Sequence, residues 1–312
     1  MKTILVTGGA GFIGTNLCKR LVNENNRVLC VDNFYTGKLS NVENIKSNKF
    51  EIIKHNVINP LEIDEKIDEI YNLASPASPP HYQKTPIETI KTNVIGTINL
   101  LELASKNNAK ILQSSTSEVY GEPSQHPQKE NYWGNVNPNG IRSCYDESKR
   151  CSESACLSFY REYGTKIKIV RIFNTYGPYM DPYDGRVVTN FIIQCLKNQD
   201  ITVYGDGNQT RSFCYVDDLV EGLIKMMNSD NTFIGPVNLG NPNEFTILEL
   251  AKKIIEKTKS ESVIKYCPLP EDDPTQRKPD ISLANNKLNW KPEIMLDEGL
   301  NKTIEYYESI NI

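Results

Sequence analysis

The sequence predicts an α/β fold: a doubly wound parallel sheet with a smaller C-terminal portion. Three observations predict it. The first half alternates short β-branched runs with segments of helical pattern, the arrangement that right-handed βαβ crossovers require. Its first run meets the glycine loop Gly8-Gly9-Ala10-Gly11-Phe12-Ile13-Gly14 and passes directly into a helical pattern. After Phe173 the character changes, with turn-rich segments at 174–178 and 181–185 and short elements beyond.

In order, 3–7 is a short apolar run that ends on glycine and reads as the first strand. The segment 12–23 reads as the first helix. Strands are then expected at 27–32, 50–54, 69–74 and 110–114, each short and rich in β-branched residues. Helices are expected at 88–105 and 146–163. A strand at 166–171 continues the sheet. A later strand at 236–239 is expected to return to it. Pro268, Pro270, Pro274 and Pro279 crowd one loop. The organisation expected is a Rossmann-type cofactor domain over 1–173. Residues 174–312 then mainly bind substrate, over the C-terminal ends of the strands where open α/β sheets take ligands.

Bulk properties exclude several function classes. The chain has 312 residues, enough for one large domain or a cofactor domain with a cap. A formal net charge of −4 leaves no basic footprint, so no nucleic-acid partner is expected. Eight cysteines show no C-x-x-C spacing and accompany three histidines, His55, His81 and His126. Reduced, mostly buried thiols in a cytoplasmic protein are expected, and no metal site. Cys144 and Cys214 flank motifs, with no activating base in view for either. The N-terminal apolar run is too short for a secretory signal, and no stretch approaches the ~20 apolar residues of a membrane span.

The chemistry begins at the glycines. Gly8 permits a tight turn, Gly11 lets the backbone approach a pyrophosphate, and Gly14 allows close helix–strand packing. Their G-x-x-G-x-x-G spacing resembles that of the short-chain dehydrogenase/reductase class. Asp32 ends the second strand, where a carboxylate binds ribose hydroxyls and repels a 2′-phosphate, so NAD is expected. Asn33, Thr36 and Gly37 continue around the adenosine. Asn56 faces the adenine, and Leu73 and Ser75 run along the cofactor.

Tyr145 and Lys149 lie four apart on one helix face. There the ammonium can lower the phenol from its ordinary pKa near ~10, making a base for a hydroxyl proton. Ser115-Thr116-Ser117-Glu118 follows the fifth strand, and Thr116 can hydrogen-bond the reacting hydroxyl. Together with the glycine loop, this reads as dehydrogenase chemistry on an alcohol.

A more specific resemblance rests on the segments 74–82, 91–97, 116–121, 132–138, 171–175, 184–188, 209–213, 238–242 and 277–280. They look like UDP-glucuronate decarboxylases, within the NAD-dependent epimerase/dehydratase family of extended short-chain dehydrogenases. The match runs from about Lys2 to Tyr307. It implies oxidation at sugar carbon 4 by NAD, loss of carbon dioxide from the β-keto acid, and re-reduction to UDP-xylose.

The resemblance also assigns residues. Tyr145, Lys149, Thr116, Glu118 and Arg211 become catalytic, with Glu118 and Arg211 at the carboxylate end of the sugar. Phe12, Ile13, Val57, Thr92, Ser114 and Thr175 join the cofactor site, and Arg186 meets a phosphate. Lys91, Ser117, Asn174, Val188, Tyr204 and Arg277 join the UDP-sugar site. Ser117 stands where glucose-type 4,6-dehydratases place an aspartate, which argues against dehydration. Tyr132 and Trp133 either wall the sugar pocket or pack a lid. Helices around 87–103 and 151–160 resemble a pair that forms a four-helix homodimer interface, although packing on the sheet also accounts for them. Alternatives remain: the 2-acetamido uronate as substrate, a UDP-sugar 4-epimerase, or an NAD-binding protein without catalysis.

Overall fold

The computed structural model describes residues 1–268 and 276–310. Pro270 and Pro274 of the proline-rich loop lie outside them. The leading elements are β1 (Thr3–Thr7), α1 (Phe12–Asn23), β2 (Arg27–Asp32), α2 (Leu39–Val42), β3 (Phe50–Lys54) and β4 (Glu69–Asn72). Then come α3 (Pro79–Lys84), α4 (Pro86–Asn107), β5 (Lys110–Thr116), a 3-10 turn at Ser117–Tyr120, α5 (Ser143–Tyr163) and β6 (Lys166–Ile172).

The second half begins with β7 (Thr175–Tyr176), α6 (Val187–Leu196), β8 (Ile201–Tyr204), β9 (Thr210–Ser212), β10 (Cys214–Tyr215) and α7 (Val216–Asn228). It ends with β11 (Val237–Leu239), β12 (Glu244–Thr246), α8 (Ile247–Thr258), β13 (Ile264–Cys267), β14 (Gln276–Arg277), α9 (Ser282–Leu288) and α10 (Leu296–Ser309).

Seven parallel strands form the main sheet in the order β11-β6-β5-β4-β1-β2-β3. The expected return of the chain at 236–239 is therefore present, as β11 beside β6. Alternating strand residues feed two cores. Ile4, Val6, Val28 and Cys30 pack toward α1 and α7, while Leu5, Leu29, Val31, Ile111 and Ile169 pack toward α4 and α5. That period-2 division explains why the strands read as nearly continuous apolar runs.

Strand order reverses between β1 and β4, so their connections leave in opposite directions and open a crevice at the carboxyl ends. A buried polar ladder holds this seam. The Thr7 hydroxyl donates to Asn72 Oδ1 at 2.8 Å, and Asn72 Nδ2 donates to Gln113 Oε1 at 2.7 Å. The second half packs over the crevice with three small sheets, in one of which β14 lies parallel to β9 with Arg277 opposite Arg211.

Candidate active site

A cavity of about 1330 Å³ occupies the crevice. Its floor is the glycine turn. Gly8 has φ +69°, and a Cβ there would sit 2.8 Å from the Leu73 carbonyl carbon. At Gly14 a Cβ would lie 2.1 Å from the Gly8 carbonyl oxygen, so side chains are excluded where strand and helix nearly touch. Helix α1 starts after Gly11 with no side-chain cap and no acidic residue in its first turn. Its amide dipoles thus face the cavity beside Phe12 and Ile13, a fit for a diphosphate.

Asp32 has two tasks. Its carboxylate accepts the Ala10 amide at 3.0 Å and the Phe34 amide at 2.8 Å, bracing the glycine turn. Burial raises its pKa and those amides oppose the rise. Its remaining lone pairs suit ribose hydroxyls. Asn33, Thr36, Asn56, Val57, Leu73, Ser75, Thr92, Ser114, Thr175 and Arg186 all line the same cavity. The donor set fits a dinucleotide. Gly37 packs behind Asp32, where a Cβ would stand 2.8 Å from Oδ2.

At the chemical end, Tyr145 lies flat against Tyr82, with ring centroids 5.0 Å apart and planes 8° from parallel. Burial pushes the Tyr145 phenol up to about 12, against a hydrogen bond with the Thr116 side chain and the charge of Arg186. The expected lowering by Lys149 is not what this geometry produces. The Lys149 ammonium donates to the Ser114 carbonyl at 3.0 Å and stands 5.8 Å from the Tyr145 ring centre. Burial lowers Lys149 to about 8. Desolvation outweighs the pairwise attraction that residue spacing implies.

Glu118 is the second residue of the turn after β5, and its amide is accepted by Thr116 Oγ1 at 3.2 Å. Its Oε2 pairs with Arg142 and lies 3.4 Å from Arg277 Nη2. Burial pushes Glu118 upward, but Arg277, Arg142 and Arg211 together hold it down at about 2. Arg277 is 2% exposed, and its Nη1 donates to the Gly121 carbonyl at 2.8 Å. Asp146, next to Tyr145, is pushed up to about 7 by burial and by the Glu118 charge.

Most of the expected residues therefore meet. Thr116, Ser117, Glu118, Asn174, Val188, Tyr204, Arg211 and Arg277 line the cavity with Tyr145 and Lys149. Lys91 does not; it reaches along α4 to Glu88 at 2.9 Å, the ordinary behaviour of an exposed i,i+3 pair. Tyr132 stacks on Tyr120 at 6.1 Å and Trp133 is 88% exposed, so neither walls the cavity. Further lining residues were missed, among them Arg142 and Tyr82. Arg142 stands three before Tyr145, a spacing that puts both on one helix face, and Tyr82 ends the resembling segment 74–82. Helical spacing was the available signal for Arg142.

Comparisons with known proteins agree with this architecture. The model of the NAD dependent epimerase/dehydratase family matches residues 4–240. UDP-glucuronic acid decarboxylase 1 of Arabidopsis thaliana is 52% identical over 98% of this chain and 70% of its own length. Among solved structures, UDP-glucose 4-epimerase of Thermotoga maritima, with UDP-glucose, superposes with a TM-score of 0.90 at 30% identity, covering 99% of each chain. UDP-glucuronic acid 4-epimerase of Bacillus cereus, in complex with UDP-glucuronic acid and NAD, gives 0.89 at 28% identity, also covering 99% of each. The chain belongs to the NAD-dependent epimerase/dehydratase family.

Proposed function

We propose that this protein is an NAD-dependent decarboxylase that converts UDP-glucuronate to UDP-xylose through a 4-keto intermediate. The observation that carries the reading is the guanidinium cluster of Arg142, Arg277 and Arg211 about Glu118, beside Tyr145 and Thr116 in one cavity. A uronate needs cationic groups for its carboxylate, within reach of the base that works on carbon 4. The identity to curated decarboxylases supports the same reading.

NAD, when bound, supplies the acceptor and later the donor of the carbon 4 hydride. The residues that would hold it are those of the glycine turn, Asp32, Asn56, Ser114, Lys149 and Arg186. Thr116 orients the carbon 4 hydroxyl and Tyr145 takes its proton. The bond from carbon 5 to the carboxyl carbon then breaks. Its electron pair passes into the carbon 4 carbonyl as an enolate, which the Tyr145 hydroxyl stabilises, and carbon 5 takes up a proton. Arg211 and Arg277 position the departing carboxylate. With its charge neutralised by Arg142 and Arg277, Glu118 serves to orient the guanidiniums rather than to repel the substrate.

Asn174, Val188 and Tyr204 would hold the UDP moiety. We extend the proposal to a homodimer. Ile87, Ile90 and Ile95 on α4 and Tyr160 and Tyr163 on α5 are exposed on neighbouring helices, which suits a four-helix interface. A cytoplasmic location is supported by the eight free thiols.

The deciding experiment incubates purified protein with NAD and UDP-glucuronate and follows carbon dioxide and product mass. Loss of the carboxyl mass with a UDP-pentose product is expected. An isobaric product would replace the reading with a 4-epimerase. No product from this acid, with turnover of the 2-acetamido acid, would move the substrate.

A further inference from the structure

Asn238 lies outside the cavity, fully buried at the centre of β11, yet its polar groups tie together the two segments that build the carboxylate end. Its side-chain amide donates to the Gln128 carbonyl at 3.0 Å and to the Asp280 carbonyl at 3.1 Å. Its Oδ1 accepts the Tyr120 hydroxyl at 2.7 Å, and its backbone amide donates to Glu130 Oε1 at 2.9 Å.

Those partners belong to two stretches far apart in sequence. Tyr120, Gln128 and Glu130 follow Glu118 in the loop after β5, while Asp280 follows Arg277. The stretches zip directly: the Gln128 amide donates to the Lys278 carbonyl at 2.9 Å, the Lys278 amide to Gln128 Oε1 at 2.8 Å, and the Asp280 amide to the Gln128 carbonyl at 2.9 Å. Arg277 itself reaches back to the Gly121 carbonyl. Asn238 sits under this zip and holds both sides to the main sheet.

We propose that Asn238 is a positioning residue that sets Arg277 against Glu118, and through them the carboxylate end of the substrate. The proposal rests on the decarboxylase reading for its chemistry, but its geometry is independent of it. A buried amide with both hydrogens and its oxygen engaged has one low-energy orientation, so it transmits the position of the sheet to the loops. A displacement of about 1 Å at a reacting group can cost on the order of 10²-fold in rate.

Asn238→Asp keeps the size and the acceptor for Tyr120 and removes both donors. Hydrogen–deuterium exchange should then quicken together in 124–130 and 276–281, with NAD retention unchanged. In a single turnover with UDP-glucuronate, carbon dioxide release should fall on the order of 10²-fold while 4-oxidation stays near the wild-type rate, so NADH absorbance accumulates. A purely structural lesion would slow both half-reactions alike. If Asn238→Asp does not fold, Tyr120→Phe, which removes one of these bonds, should give the same pattern at smaller amplitude. Unchanged exchange in either segment, or half-reactions that fall in step, would overturn the proposal. A wild-type protein that releases no carbon dioxide would instead remove the decarboxylase reading and leave exchange to decide the role of Asn238.

Discussion

Tyr145 and Lys149 show how burial rewrites what spacing implies. Tyr145 is pushed up to about 12, so it rests protonated, and the base role proposed for it requires the bound reactants to lower it. Tyr145→Phe is expected to cut turnover by about 10²–10⁴-fold while NAD is retained through gel filtration. Near-normal turnover in that variant would remove Tyr145 from its role. Lys149 is lowered from 10.5 to about 8, so below pH 8 the fold carries a buried ammonium that the unfolded chain holds in water. That penalty is up to about 3 kcal/mol below pH 8 and fades as pH rises from 8 toward 10.5, where the unfolded chain also deprotonates. Lys149→Met should therefore be inactive yet gain stability relative to wild type, with the larger Tm difference at pH 7 than at pH 10. An equal difference at both values would contradict the buried charge.

At the scale of elements, helix α5 gathers the chemistry. Arg142 at its N-cap, Tyr145 and Lys149 fall at spacings of three and four, one stripe facing β5 and the turn after it. That stripe was legible for Tyr145 and Lys149, because a helix face follows from local spacing. The helix was expected from 146 and starts at 143 with Arg142 as its N-cap, so Arg142 lay four residues ahead of the expected start. Its role emerges when β5 delivers Glu118 to the same place. Arg142→Ala should raise the Glu118 pKa, lower carbon dioxide release more than about 10-fold, and leave NAD retention intact. A titration of Glu118 that does not move would show that Arg277 and Arg211 hold it without help. The other elements were mostly legible too: α1 spans the expected residues, and β5 runs two residues further, carrying Thr116 to the strand end.

For the whole molecule, the doubly wound topology decides where these parts meet. The reversal of strand order between β1 and β4 makes the crevice, and the C-terminal portion closes it with residues such as Arg277, 159 positions from its partner Glu118. The exposed apolar rows of α4 and α5 lead to one prediction at this scale. Ile95→Glu should convert a dimer to a monomer by light scattering at micromolar concentration; a wild-type monomer would refute the interface. The sequence by itself determined the fold class, the dinucleotide turn and the Tyr145–Lys149 pair. Each depends on residues within a few positions of one another, where steric and helical periodicity rules act. Only the tertiary structure decided the guanidinium clamp on Glu118, the packing of Tyr82 on Tyr145 and the protonation of Tyr145 and Lys149. These depend on burial and on charges brought from distant parts of the chain, which local spacing does not encode.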